Sequence, residues 1–266
     1  MTRTLISFIQ DRSGSMASVW EETLNGFKTY VNDLQKDQDK DNEVEYALSL
    51  TTFDTQIDTP YVGELIGNVI GDRLKDFGPR GGTSLYDAVG RTLQAIDDDK
   101  KLTFDKAIVV IVTDGEENSS REWSKEALHA AIDERIKRGN WTFTYLGAQP
   151  ETWDEATKLG MGVGASATYT PSNAQATYAT MAFATSNMAR SAHASSKSFL
   201  HDNTTVAMRC AVGMQTEDDA DNLVNNVPAT TGTTTTASHT TPPATSPFRR
   251  PGTPRPARVA KSRRWK

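Results

Sequence analysis

The order of hydrophobic patterns predicts an α/β fold: a doubly wound, mostly parallel sheet with helices on both faces and one antiparallel edge strand. Three observations carry this reading. Short apolar runs of strand length alternate with stretches whose apolar residues recur at three- and four-residue spacing. Ala107 to Val112 is continuously apolar, as a central strand covered on both faces requires. Val44 to Phe53 and Ile57 to Val62 are separated by too few residues for a parallel crossover, so the second run pairs as an antiparallel hairpin strand at the sheet edge.

Along the chain, Leu5 to Ile9 ends in Asp11 and meets Ser13-Gly14-Ser15, the punctuation of a strand feeding a turn. Trp20, Leu24, Phe27, Tyr30, Val31 and Leu34 share one face of a helix over about Met16 to Lys36. The charged stretch from Asp37 to Asp41 ends it. A short helix is expected around Gly71 to Phe77. Pro79 to Thr83 is a loop, and Ser84 with Asp87 three residues on resembles a capping box opening a helix to about Ile96. After the strand ending at Val112, Ser119 or Ser120 caps a helix to Lys137 that Gly139 stops. Trp141 to Leu146 reads as a strand, Thr152 to Leu159 as a short helix, Ala165 to Tyr169 as a short strand and Ser172 to about Ser195 as a long helix. The whole is a Rossmann-like order.

That alternation defines one domain over residues 1–200. Residues 201–225 read as an irregular segment, and 226–266 as a disordered Thr- and Pro-rich tail unable to form a core. The net charge of -5 hides an asymmetry: Arg249, Arg250, Arg255, Arg258, Lys261, Arg263, Arg264 and Lys266 crowd the end of the tail, with no acid among them. The rest of the chain is acidic, which disfavours nucleic acid as its main ligand; only the basic tail suits phosphates. The single Cys210 excludes an intramolecular disulfide and a multi-cysteine metal site. No stretch approaches the roughly 18 apolar residues of a membrane span, and no signal-peptide pattern is present, so the expected setting is the cytoplasm, away from membranes.

Three loops, each leaving the carboxyl end of an expected strand, bring oxygen donors: Asp11, Ser13 and Ser15; Thr83 after Gly81-Gly82; and Asp114. In a doubly wound sheet such ends share one crevice, at the switch in strand order. Three neutral hydroxyls and two carboxylates, without sulfur or imidazole, suit a hard divalent cation, Mg2+ first, with Mn2+ or Ca2+ as alternatives. A partner's carboxylate is able to replace a water on such an ion.

These runs carry a family resemblance. Asp11-Arg12-Ser13-Gly14-Ser15-Met16 resembles the opening motif of the metal-ion-dependent adhesion site of von Willebrand factor type A domains. Gly81-Gly82-Thr83-Ser84-Leu85-Tyr86-Asp87-Ala88 resembles the second motif, whose Thr is a ligand, and Thr113-Asp114-Gly115 the third, whose Asp contacts the ion often through water. The resemblance covers about residues 3–200 and looks nearest to cytoplasmic bacterial and phage single-domain members. It implies a binding module that recognises an acidic residue of a protein partner, without naming that partner.

Two other classes compete. A metal-dependent hydrolase acting on a phosphate ester would use the same cation, yet the sequence has no nucleophile elbow, no phosphate loop and no histidine spaced to act as a base, so no catalytic residue is assigned and an enzyme is not expected. A phage or bacterial accessory protein would use the basic tail to contact nucleic acid. Glu116 and Glu117 read as solvated loop acids, and Asp87 as a favourable charge at a helix N-terminus.

Overall fold

The computed structural model describes residues 1–40, 43–148, 152–192, 199–212 and 214, all of them in one compact unit spanning Met1–Asn226. The tail over 226–266, with its basic end, lies outside the described residues. Among the described residues, β1 (Thr2–Asp11), β2 (Val44–Phe53), β3 (Ile57–Leu65), β4 (Lys106–Thr113), β5 (Trp141–Gly147) and β6 (Ser166–Thr168) form one sheet in the order β3-β2-β1-β4-β5-β6. All neighbours are parallel except β2 and β3. The chain winds outward from β1 to β3, returns to β4, and winds the other way to β6. The reversal lies between β1 and β4, so their carboxyl ends open the crevice in which doubly wound sheets bind ligands.

Alternate residues of the two central strands face opposite cores, as the pleat demands. Ile6, Phe8, Ile108, Val110 and Val112 pack with α1 (Trp20–Gln38) and α5 (Ala174–Arg190). Leu5, Ile9, Val109 and Ile111 pack with α2 (Leu85–Asp98) and α3 (Lys125–Lys137). Phe8 meets Phe27 edge-on with ring centroids 5.0 Å apart. The hairpin turn is closed by Asp54, whose Oδ1 accepts the Gln56 amide at 2.7 Å. The edge strand β3 carries Pro60 and two register shifts against β2, devices that interrupt the row of unpaired groups an edge presents.

Boundaries differ from expectation where side chains compete for backbone groups. The first helix opens as a 3-10 turn, Gly14–Ser18, anchored by buried Met16, and α1 proper begins at Trp20. The helix expected over 71–77 is a 3-10 turn, Arg73–Asp76. The cap of α3 is Ser124, whose Oγ accepts from the Ala127 amide at 3.2 Å, instead of Ser119 or Ser120. The two earlier serines are held in the preceding loop by the carboxylate of Glu117. The α4 helix (Thr152–Lys158) matches its expected place. Helix α5 ends at Arg190, where Lys106 Nζ donates to the carbonyls of Met188 and Ala189, both at 2.9 Å. The expected end at Ser195 falls outside the described residues.

The irregular segment expected from residue 201 needs correction. It holds the end of α6 (Phe199–Asn203) and all of α7 (Val206–Ala211), and its Val212 and Met214 are buried in the α1–α5 core together with Phe199 and Leu200. Helices of one or two turns are too short to display a hydrophobic period, so the sequence pattern concealed them.

Candidate metal centre

Asp11 closes β1 and Thr113 closes β4, and the parallel pairing sets them side by side. The Thr113 hydroxyl donates to Asp11 Oδ2 at 2.5 Å. Asp11 Oδ1 accepts the Ser13 amide at 2.6 Å, a short Asx turn that curls the chain back over the strand end. The curl brings Ser13 Oγ and Ser15 Oγ within 3.0 Å of each other, and Ser15 Oγ donates to Asp114 Oδ1 at 2.7 Å.

Thr83 arrives from a different direction. Gly81 adopts φ 66°, a left-handed conformation that glycine takes without strain, and its carbonyl accepts the Gly14 amide at 3.1 Å. The Thr83 amide donates to Asn118 Oδ1 at 2.9 Å, and the Thr83 carbonyl accepts the amides of Asn118 and Ser119. Gly115 marks the point of convergence. A Cβ placed there would lie 3.2 Å from Thr83 Oγ1, 3.3 Å from Ser15 Oγ and 3.9 Å from Asp11 Oδ2. All five residues singled out from the sequence are therefore brought together, from three loops more than a hundred residues apart at their extremes.

Asp11, Ser13, Thr83 and Asp114 are buried, whereas Gly14, Ser15 and Glu116 are exposed, so the cluster opens on one side only. Burial raises the Asp11 carboxyl to about 6, against the opposing pull of the Thr113 hydroxyl and the Ser13 amide and hydroxyl; the nearby Asp114 carboxylate adds to the rise. Burial likewise raises Asp114, with the Ser15 hydroxyl opposing it. Arg12 brings no relief, because its guanidinium is committed to Asp54 and Asp58. Two poorly compensated carboxylates beside three hydroxyls match the hard oxygen donors of Mg2+, Mn2+ or Ca2+, whose charge would favour both ionised forms. Among the described residues no group of three or more His, Cys, Asp or Glu gathers, and this cluster contributes two carboxylates with its hydroxyls.

The sequence reading missed the acids that hold the third loop. Glu117 is not merely solvated: Oε1 accepts the amides of Ser119 and Ser120, while Oε2 accepts the Tyr86 amide at 2.9 Å and the Ser120 hydroxyl. Nor does Asp87 act only at its own helix end. Its carboxylate accepts the amides of Arg121, Glu122 and Trp123 at 2.8, 2.9 and 2.8 Å, and the Ser84 side chain makes no capping bond. The Tyr86 partner of Glu117 lies 31 residues away and the three amides on Asp87 lie 34 to 36 away, so no local spacing signals these bonds.

No protein-family model and no curated protein matches the sequence. Solved structures do match. The von Willebrand factor type A protein from Catenulispora acidiphila superposes with a TM-score of 0.52 at 16% identity, covering 70% of this chain and 43% of that one. The vWF domain of the type V pili tip protein Mfa5 from Porphyromonas gingivalis gives 0.51 at 11% identity, covering 68% and 94%. The fold is that of a von Willebrand factor type A domain. The pilus adhesin SpaC from Lactobacillus rhamnosus GG shares this A-domain fold, with a TM-score of 0.54 at 14% identity over 70% of this chain and 31% of the adhesin. This chain thus spans less than half the length of the Catenulispora protein and of the adhesin. In A-domain terms, the oxygen cluster sits at the carboxyl ends of the two central strands.

Proposed function

We propose that this chain is a metal-dependent protein-binding module, in which Asp11, Ser13, Ser15, Thr83 and Asp114 hold a hard divalent cation, Mg2+ before Mn2+ or Ca2+. The observation that carries this reading is the convergence of hydroxyl and carboxylate oxygens from three loops around Gly115. When bound, such a cation supplies a Lewis-acidic positive centre able to accept an Asp or Glu carboxylate of a protein partner. The chain's own residues set the orientation: Asp11 and Asp114 supply the charge, the three hydroxyls supply neutral donors, and the exposed side at Ser15 leaves room for a partner. Binding fits better than turnover, since among the described residues no imidazole stands at the centre. Among the described residues His129 lies on α3 beside Gly160, and His201 sits next to Asp202.

Calorimetric titration of the full chain with Mg2+ and Mn2+ tests the site, with Asp11→Ala as the comparison. Wild type should bind and the variant should not. Equal binding by both, or by neither, overturns the proposal. Relaxation of water protons by the Mn2+-loaded protein then tests partner chemistry: a glutamate-bearing peptide should lower it, and an amide-substituted peptide should not. A cytoplasmic setting is part of the same proposal, resting on the lone cysteine; no helix of the described residues is long and apolar enough to cross a membrane.

A further inference from the structure

Behind the oxygen cluster, one buried carboxylate ties two of its three loops together. Asp54 is the residue after β2 and is fully buried. Its Oδ2 accepts Nε of Arg12 at 2.9 Å and Nε of Arg80 at 2.7 Å. Arg12 lies between Asp11 and Ser13, and Arg80 lies three residues before Thr83. Backbone bonds run alongside. The Arg12 amide donates to the Phe53 carbonyl and the Arg80 amide to the Arg12 carbonyl, both at 2.8 Å, and the Ser84 amide donates to the Asp54 carbonyl at 3.2 Å. The rest of the Arg12 guanidinium is bonded to Thr52 and Asp58 and lies over the Phe77 ring, 5.0 Å from its centroid.

The side chains of Arg12 and Asp54 are 2% and 1% exposed. A pair buried so deeply gains little net stability over apolar residues of the same volume, because desolvation offsets most of the attraction. What it does supply is direction. A planar guanidinium bound through Nε to a carboxylate that is itself pinned by the Gln56 amide has little rotational freedom left.

We propose that Asp54 is a positioning residue for the oxygen cluster: through Arg12 and Arg80 it sets the spacing between the Ser13–Ser15 loop and the Thr83 loop, and so tunes cation affinity. This rests on the cation reading above. Groups that orient ligands from behind a metal site alter affinity by about 10- to 100-fold when removed.

The test uses the full chain, with Mg2+ affinity by calorimetry and amide hydrogen exchange at Gly14 and Arg80, the two amides that bridge the loops. Asp54→Asn should weaken Mg2+ binding by about tenfold or more and speed exchange at both amides. Arg80→Ala should do the same to a smaller degree; its side chain is 56% exposed, so this variant decides the matter should Asp54→Asn fail to fold. Asp97→Asn is the control. It removes a carboxylate near the end of α2, paired with buried Arg135 of α3 and with Arg138 at the end of α3, away from the loops, and should leave Mg2+ affinity unchanged. The inference is overturned if Asp54→Asn and Arg80→Ala bind Mg2+ like wild type with unchanged exchange, or if Asp97→Asn weakens binding as much as they do. Failure of wild type to bind Mg2+ sinks the cation reading instead, and the exchange rates alone then decide whether Asp54 holds the loops.

Discussion

The hydroxyl of Ser15 donates to Oδ1 of Asp114 at 2.7 Å, joining two residues 99 positions apart in the chain. Only the adjacency of β1 and β4 makes this contact possible, and it places the first and third loops of the cluster in register. Both partners are proposed cation ligands, so the bond marks where the energetics of fold and binding meet.

Because a cation would bind only the assembled loops, it should stabilise the fold by mass action. At Mg2+ a hundredfold above its Kd the gain is about 2.7 kcal/mol, and in a domain of this size the melting temperature should rise by roughly 5–10 °C. Thermal unfolding with Mg2+ and with chelator checks it. The rise should be absent in Asp11→Ala.

Gly115→Ala should separate packing at the cluster from packing of the core. The new Cβ would stand 3.2 Å from Thr83 Oγ1 and 3.3 Å from Ser15 Oγ, forcing both hydroxyls outward by tenths of an ångström. Mg2+ affinity should drop by about tenfold with little change in the melting temperature of the chelated protein. Unchanged affinity would show that the cation does not use these hydroxyls together.

Asp87→Ala leaves the amides of Arg121, Glu122 and Trp123 without their acceptor and should cost about 2–3 kcal/mol. A pH dependence follows. Burial pushes the Asp87 carboxyl up, but the three amides outweigh it and hold the group below its ordinary value of 3.8. A carboxyl depressed in the fold contributes stability that is present above its unfolded value and is lost as pH falls toward the folded one. The gap in melting temperature between wild type and Asp87→Ala should therefore be constant near neutrality and shrink below about pH 4. A gap independent of pH would exclude the ionised carboxylate as its source.

Gly26→Ala tests the contact between α1 and α5. An added Cβ would fall 2.2 Å from Tyr178 Cδ2, and that buried ring is hemmed in by Phe8 and Tyr169. Alanine's helix preference favours the variant by about 1 kcal/mol, yet overpacking a fixed ring should cost more, leaving it less stable by about 1–3 kcal/mol. Chemical denaturation measures this. Cation binding should be untouched, since the contact lies between α1 and α5 and shares no loop with the cluster.

Much of this molecule was legible along the chain because the signals are local. Ala107 to Val112 announces a doubly covered strand by its own composition, and the brief turn after Phe53 forbids a parallel partner. Asp11, Ser13 and Ser15 stand within five residues, so their common direction follows from a single turn. The short helices α6 and α7 escaped because they are shorter than the period that would reveal them.

By itself, then, the sequence determined the alternation of the main strands and helices and the antiparallel edge, which depend on neighbours within a few positions, and it singled out the five oxygen-bearing residues that the fold brings together. Tertiary structure alone decided which acids would serve as fasteners. Asp54 gathers Arg12 from 42 positions away and Arg80 from 26, and Glu117 reaches Tyr86 across 31. A carboxylate's role is set by which donors surround it, and here the strand order β2-β1-β4 chooses those donors. An Asp after a strand looks the same in sequence whether it meets water, an arginine or a cation.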